Sequence, residues 1–458
     1  MQKPFGWIAV CLLSVAPLAA KSETLADALI SAYRGSNLLE QNQAVLRAAD
    51  EDVASAVGAL LPVLQYNAQA TWQRTDLSFS PRDSVSTTGS IGLSASMPIL
   101  DFGRGALNID IKNELVLASQ QALKNVEQQV LLDAVSAYVN MGLQSELVAA
   151  QQSNVRLITQ DLRAAQDRFD VGEVTRTDVA LAQAQLASAN ASLASAQGAY
   201  NVARERYKAA IGHYPSKLAG LPKPPLTVRT FAEAKAFAQR THPVILQAQH
   251  QAKASDIGVE LAKTQMLPNL TGSAQVGQAL DSGGLGNLNE SVSLQLTQTI
   301  YAGGRLSSGF RQAIAQQQES HAGLMQTGVN VAEAVGKAWS NILVANASIQ
   351  AGDEQIRAAQ AAYDGVTEEA KLGSRTTLDV LDAEQTLLSA KASRLEAGAN
   401  LYVSQYQLLS TMGLLTASHL HLGIPTFDSA AYYNAVKNAP ATSSQGAKLD
   451  RILKSLGK

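Results

Sequence analysis

From Thr24 onward apolar residues recur at helical spacing to about Leu60, and Pro62 closes the run. After Pro62 the period falls to two. Leu64, Tyr66, Ala68, Ala70 and Trp72 alternate with Gln65, Asn67, Gln69, Thr71 and Gln73, and the returning stretch sets Ile91, Leu93, Ala95, Met97 and Ile99 between Ser90, Gly92, Ser94 and Ser96. This predicts a hairpin of strands about ten residues long, with one apolar face and one polar, uncharged face. Beyond Gly103-Arg104 the helical period returns, with Leu123, Val126, Val130, Ala134, Ala137, Tyr138 and Met141 on one stripe and no proline in residues 99–214. The pattern predicts a helix to about Asp170, a rod of about 100 Å. Gly172 breaks it, and a shorter helix returns to about Gly212.

The whole succession is then repeated. Residues 98–213 align without a gap with 299–414 at an offset of 201, so that Gly103-Arg104 falls on Gly304-Arg305, Tyr138 on Trp339, Gly172 on Gly373 and Asp178 on Asp379. Upstream the offset is 206, with Thr24, Leu61 and Pro62 meeting Thr230, Leu267 and Pro268, so a change of length lies between Pro62 and Pro98. A period this long makes each copy a whole structural unit. The expected organisation is a leader over 1–22, a first repeat over 23–212 (hairpin about 61–102), a proline-rich connector over 213–229, a second repeat over 230–415 (hairpin about 267–302) and a C-terminal segment over 416–458. Each repeat reads as helix, β-hairpin, long helix, shorter helix. Thr24 and Thr230 suit N-caps, and Ser36-Asn37 and His242-Pro243 mark where the first helices kink or split.

Composition adds compartment and excludes chemistry. Met1 to Ala20 has one cation (Lys3), an apolar run from Trp7 to Val15 and small residues at its end, the layout of a secretory signal peptide cleaved after Ala20 or Ser22. The single cysteine, Cys11, lies inside that leader, so neither disulfides nor thiolate metal sites are expected in the mature chain. Charged residues make up 16% of the chain and the formal net charge is −2, which speaks against nucleic acid as a partner. No Walker loop, nucleophile-elbow serine or His-Glu-x-x-His is present, so no enzyme and no cofactor are expected. Asp281-Ser282-Gly283-Gly284-Leu285-Gly286 reads as a turn between strands, and His419 and His421 lack a third metal ligand. The segment from about residue 438 is expected to be partly disordered.

Strands with one apolar and one uncharged polar face match the bilayer-spanning pattern, with Tyr66, Phe102 and Tyr301 near strand ends as interfacial aromatics. Four strands cannot close a barrel, and an open edge cannot face lipid. Two copies would supply eight strands; three would supply twelve and leave a channel. The alternative is a periplasmic coiled-coil scaffold or adaptor that never enters the membrane.

Gly172-Glu173-Val174-Thr175-Arg176-Thr177-Asp178-Val179, Gly373-Ser374-Arg375-Thr376-Thr377-Leu378-Asp379-Val380-Leu381-Asp382-Ala383, Pro98-Ile99-Leu100-Asp101-Phe102-Gly103 and Thr299-Ile300-Tyr301-Ala302-Gly303-Gly304 resemble the TolC-like outer-membrane efflux proteins of Gram-negative bacteria. The resemblance spans about Thr24 to Leu415. It implies a homotrimer in outer-membrane lipid, with a twelve-stranded β-barrel continuous with a long α-helical tunnel. That channel exports drugs or other small molecules, proteins by type I secretion, or both, with a periplasmic adaptor and an inner-membrane pump or ABC transporter. It also implies that residues 213–229 and 416–458 pack as an equatorial collar.

Asp379 and Asp382, at i and i+3, share one helix face just past Gly373. The resemblance makes them an inward selectivity ring that attracts cations, is open to cation block and has some carboxyls titrating high. No structural metal is expected. The resemblance also implies a latch in which Arg375 bonds Thr177 and Asp178, although the family tyrosine five residues before the arginine is Ala370 here. The tips Gly172, Glu173, Gly373 and Ser374 are the implied adaptor contacts. Glycine at both turns is also what helix termination alone requires.

Overall fold

A computed structural model describes residues 22–75, 84–225, 228–281, 284–438 and 451. The leader, the hairpin turn residues 76–83 and nearly all of the tail beyond 438 lie outside the described residues. The elements run α1 (Leu25–Gly35), α2 (Asn37–Gly58), β1 (Val63–Thr75), β2 (Ser84–Leu100), α3 (Arg104–Asp170), α4 (Arg176–Ile211), α5 (Phe231–Thr241), α6 (Pro243–Thr264), β3 (Asn269–Asp281), β4 (Gly284–Thr297), α7 (Arg305–Lys371), α8 (Thr377–Thr411) and α9 (Ser429–Val436). α3 and α7 are each 67 residues long and start and stop at the same offset. No described helix is long and apolar enough to cross a membrane.

Local chemistry accounts for the helix boundaries. Four helix starts use the same spacing, a threonine followed three residues later by an acid: Thr24/Asp27, Thr175/Asp178, Thr230/Glu233 and Thr376/Asp379. In each the acidic residue's amide donates to the threonine hydroxyl. At Thr24, Thr175 and Thr376 the carboxylate accepts in return from the threonine amide, a full capping box. The expected breaks are complete splits. Ser36 Oγ accepts from the Leu39 amide, and His242 Nδ1 accepts from Val244 next to Pro243 at the first helical position.

The chain forms two compact units. The first comprises the described residues within Met1–Arg34, Ala134–Lys223 and Ile356–Leu395. In it Tyr138 and Tyr207 are almost wholly buried. The Tyr138 hydroxyl lies 2.9 Å from the Glu23 carbonyl and 2.8 Å from that of Ala219, and the Tyr207 hydroxyl donates to Glu23 Oε1 at 2.6 Å. Those bonds, with an isolated parallel bridge between Glu23 and Leu218, tie the segment before α1 to the proline-rich segment after α4.

The second unit comprises the described residues within Gly35–Asp133, Pro224–Gln355 and Glu396–Lys458. Its apolar core sets Ala234, Ala238 and Ile245 against Val331, Val335, Ala338, Leu408 and Met412. Helix α9, unmarked by the sequence pattern, is held by Tyr432 on Glu51 and Tyr433 on Asn113.

This unit also holds the antiparallel sheet, in the order β1-β2-β3-β4. Its strands are 13, 17, 13 and 14 residues long, longer than expected. The outer part of β2, Ser86-Thr87-Thr88, is polar on both faces and conceals the alternation that defines a strand in sequence. The register gathers Leu64, Ala95, Ala274 and Val292 in one row and Gln65, Ser94, Gln275 and Ser291 in the next. The polar face is therefore amide and hydroxyl, with Asn67 donating to Ser94 and Ser273 bonded to Ser293. The apolar face is interrupted by Gln278 opposite Ile91 and by Glu290 opposite Val276.

Candidate gate at the helix tips

The first unit contains both long-helix ends and the turns that follow them. Each turn is a Schellman motif. Gly172 (φ 83°) donates to the Phe169 carbonyl and Glu173 to that of Arg168; Gly373 (φ 78°) donates to Ala370 and Ser374 to Glu369. The left-handed glycine satisfies carbonyls that the helix end would leave unpaired. Helix termination is thus a real duty of these glycines. Glu173 and Ser374 stand exposed beside them, next to the strongly exposed side chains of Val171 and Leu372.

Asp178 and Asp379, at matching positions, do the same work. Each carboxylate accepts from the backbone amide and hydroxyl of its own N-cap, at 2.8 Å from both groups of Thr175 and 2.9 Å from both groups of Thr376. These backbone bonds, then the hydroxyl bonds, hold both carboxyls below the ordinary aspartate range. Within one protomer Asp379 is thus a capping carboxylate. Asp382, one turn on, is exposed, and its carbonyl accepts from Thr386. A threonine three residues before each aspartate was a legible capping signal that the sequence reading of these sites passed over.

The implied latch is not drawn within one protomer. Arg375 Nε donates to Glu369 Oε2 at 2.8 Å, across its own turn, with both side chains about half exposed at 51%. Thr177 is exposed, and Asp178 is engaged by Thr175. Arg375 and Glu369 are six residues apart on either side of a tight turn, so their pairing needs no tertiary contact.

A feature the sequence did not disclose lies two residues beyond Asp382. Glu384 of α8 is 5% exposed, and neither carboxyl oxygen meets an N–H or O–H donor. Its acidic neighbour is Asp161 of α3. Burial, then the Asp161 carboxyl, pushes Glu384 up to about 7, and burial raises Asp161 as well. The Tyr363 phenol of α7 faces both and is itself raised, by burial first and then by the two carboxyls. Asp161 also lines a cleft of about 160 Å³ with Arg168, Ala370, Lys371, Thr377 and Leu381. Beneath the pair, Ile158 and Leu381 pack with Ala189 and Leu186 of α4.

The family model for the outer membrane efflux protein matches residues 29–213 and 237–414, and the chain belongs to that family. It is 33% identical over 423 residues to the outer membrane efflux protein BepC of Brucella suis biovar 1 (strain 1330), covering 92% of each chain. It is 26% identical over 460 residues to the outer membrane protein TolC of Escherichia coli (strain K12), covering 93% of this chain and 90% of TolC. The crystal structure of the Campylobacter jejuni CmeC outer membrane channel shares the fold with a TM-score of 0.74 at 16% identity, over 92% of this chain and 90% of that one. The protein accordingly resides in the outer membrane of a Gram-negative bacterium, and its relatives are channel and transport proteins. A scaffold that never enters the membrane is set aside.

Proposed function

We propose that three copies of this chain close a twelve-stranded barrel and carry small molecules, proteins or both from the periplasm to the exterior. The observation that carries this reading is the sheet itself: β1 and β4 are unpaired edges, and one face is apolar while the other is uncharged and polar. An open edge is not tolerated in lipid, because its amides and carbonyls would have no partner. Twelve strands are the smallest multiple of this sheet that leaves a lumen unfilled by side chains. Tyr66 and Tyr301, strongly exposed in the single chain, suit a membrane interface. Exposed Met325, Val329, Leu343 and Val344 on α7 suit helix packing between copies. The leader over 1–22 directs export to the periplasm.

In this reading Asp382, supported by Asp379, forms the cation-attracting constriction, and the tips Gly172, Glu173, Gly373 and Ser374 meet a periplasmic adaptor serving an inner-membrane pump or ABC transporter. Arg375 exchanges Glu369 for Thr177 and Asp178 of an adjacent hairpin when the assembly closes. The test is mass in detergent together with current in planar bilayers. Three copies and small, cation-preferring currents are expected, with Arg375→Ser raising conductance. A single-copy particle released by carbonate washing overturns the proposal.

A further inference from the structure

The internal repeat predicts how the two open sheet edges meet. This rests on the assembly proposed above, though not on the number of copies. Within the chain the hairpins obey the repeat offsets in their pairing as far as Gln278: Val63 opposite Ser96 becomes Asn269 opposite Thr297, and Trp72 opposite Thr87 becomes Gln278 opposite Leu288, while beyond Gln278 the β3–β4 register shifts by one residue and the β2–β3 register runs on unbroken to Leu280. The seam between hairpins, β2 against β3, is therefore a template for the seam between β4 of one copy and β1 of the next. Adding 201 on the β2 side and subtracting 206 on the β3 side turns Gly89 opposite Leu280 into Glu290 opposite Arg74. In the same way Ile91 opposite Gln278 becomes Val292 opposite Trp72, and Gly92 opposite Gly277 becomes Ser293 opposite Thr71. The translation uses no information about charge, yet it sets a carboxylate directly against a guanidinium. Directly opposed residues of opposite charge are a favourable cross-strand pair. It also answers why a glutamate interrupts the apolar face, where an isolated charge would be costly against lipid.

The strand-to-helix junction repeats the message. The Arg104 guanidinium donates to the Thr264 carbonyl at 2.6 Å and to that of Leu267 at 3.3 Å, satisfying the end of α6 where it turns into β3. The counterpart Arg305 is exposed, and the translated acceptors are the carbonyls of Gly58 and Leu61 at the end of α2. Exposure marks the same edge. Ile300 and Tyr301 are 95% and 86% exposed, whereas their counterparts Ile99 and Leu100 are 51% and 47% exposed, beside β3. The helices do not extend the match: Glu114 with His250 and Lys253 translates to Ala315 with Ala44 and Arg47.

We infer that β4 pairs antiparallel with β1 of a neighbouring copy in the register that sets Glu290 against Arg74, and that Arg305 caps the Gly58 and Leu61 carbonyls of that copy. The seam is thus a sheet contact with an ion pair on its membrane face and a guanidinium clamp at its helical end.

Paired cysteines in the full chain test the register, because Cys11 in the leader is the only native cysteine. Ser293→Cys with Thr71→Cys should give, on oxidation, a ladder of linked copies that collapses on reduction. A bond within one copy cannot form, since the edges lie three strand spacings apart, about 14 Å, beyond the about 7 Å limit of a disulfide. Ser293→Cys with Asn67→Cys, four residues out of register, should stay unlinked. Glu290→Arg should lower the temperature at which the detergent-resistant assembly dissociates, and adding Arg74→Glu should restore it to within a few degrees. Linking by the out-of-register pair, no linking by the in-register pair, or failure of the charge exchange overturns the seam while a multi-copy mass leaves the assembly standing. A single-copy mass for the unaltered protein removes both.

Discussion

Asp161 of α3 is the acidic neighbour of Glu384 of α8, at a position where Glu384 is buried and meets no donor. With Glu384 pushed up to about 7 from a usual value of 4.5, the folded tip holds a proton that separated side chains would release. The contact contributes fully below about pH 4.5 and is lost as pH rises towards 7. Across that window, hydrogen exchange at the start of α8, corrected for its intrinsic pH dependence, should quicken. Arg168 and Lys371 line the adjoining cleft and Tyr363 faces the pair, so Glu384→Gln is the cleaner variant. It does not titrate and should flatten the profile. A profile as steep as in the unaltered protein would show that other groups set it.

Asp379 and Asp382 should separate in their effects. Asp379→Ala removes the capping box and leaves the Thr376 amide at the start of α8 without its acceptor, so the tip should exchange faster as well as conduct differently. Asp382→Ala touches no cap. It should reduce cation preference in planar bilayers while leaving tip exchange as it was. Equal loss of tip order in both variants would contradict the division.

Alanine at Gly172 or Gly373 must adopt φ near 83° or 78°, with no neighbour in the way. The cost is local, about 1 kcal/mol each. Limited proteolysis should find the tips more susceptible, with thermal unfolding of the rest unchanged. Adaptor capture on purified components should weaken if the turn geometry is itself the contact surface.

Gly413 differs from these because space as well as backbone excludes a side chain. A Cβ there would lie 2.9 Å from Pro243 Cδ and 3.2 Å from His242 Cα, at φ 78°. Gly413→Ala should destabilise by about 1–3 kcal/mol and lower the melting temperature. Gly198→Ala, in the middle of α4 with open space around it, should instead stabilise by about 0.5–1 kcal/mol. Matching signs for the two substitutions would refute this account of their surroundings.

What the sequence determined by itself is what short-range chemistry decides. Helical period and glycine stops located α3 and α7, and the ends of α4 and α8, to within about two residues, and Thr24 and Thr230 marked the starts of α1 and α5. Alternation after Pro62 and Pro268 located both hairpins, and their self-similarity set the repeat. The tertiary structure decided which side chains distant in the chain meet. Nothing local marks Glu384 as the neighbour of Asp161, because burial and the meeting of two acids arise only when α3 and α8 pack together. Strand ends polar on both faces, as around Thr87, have no period to read, so cross-strand hydrogen bonds alone set their length. At Asp379 and Arg375 the nearest partners, Thr376 and Glu369, lie within six residues, and short loops favour such contacts because closing them costs little entropy.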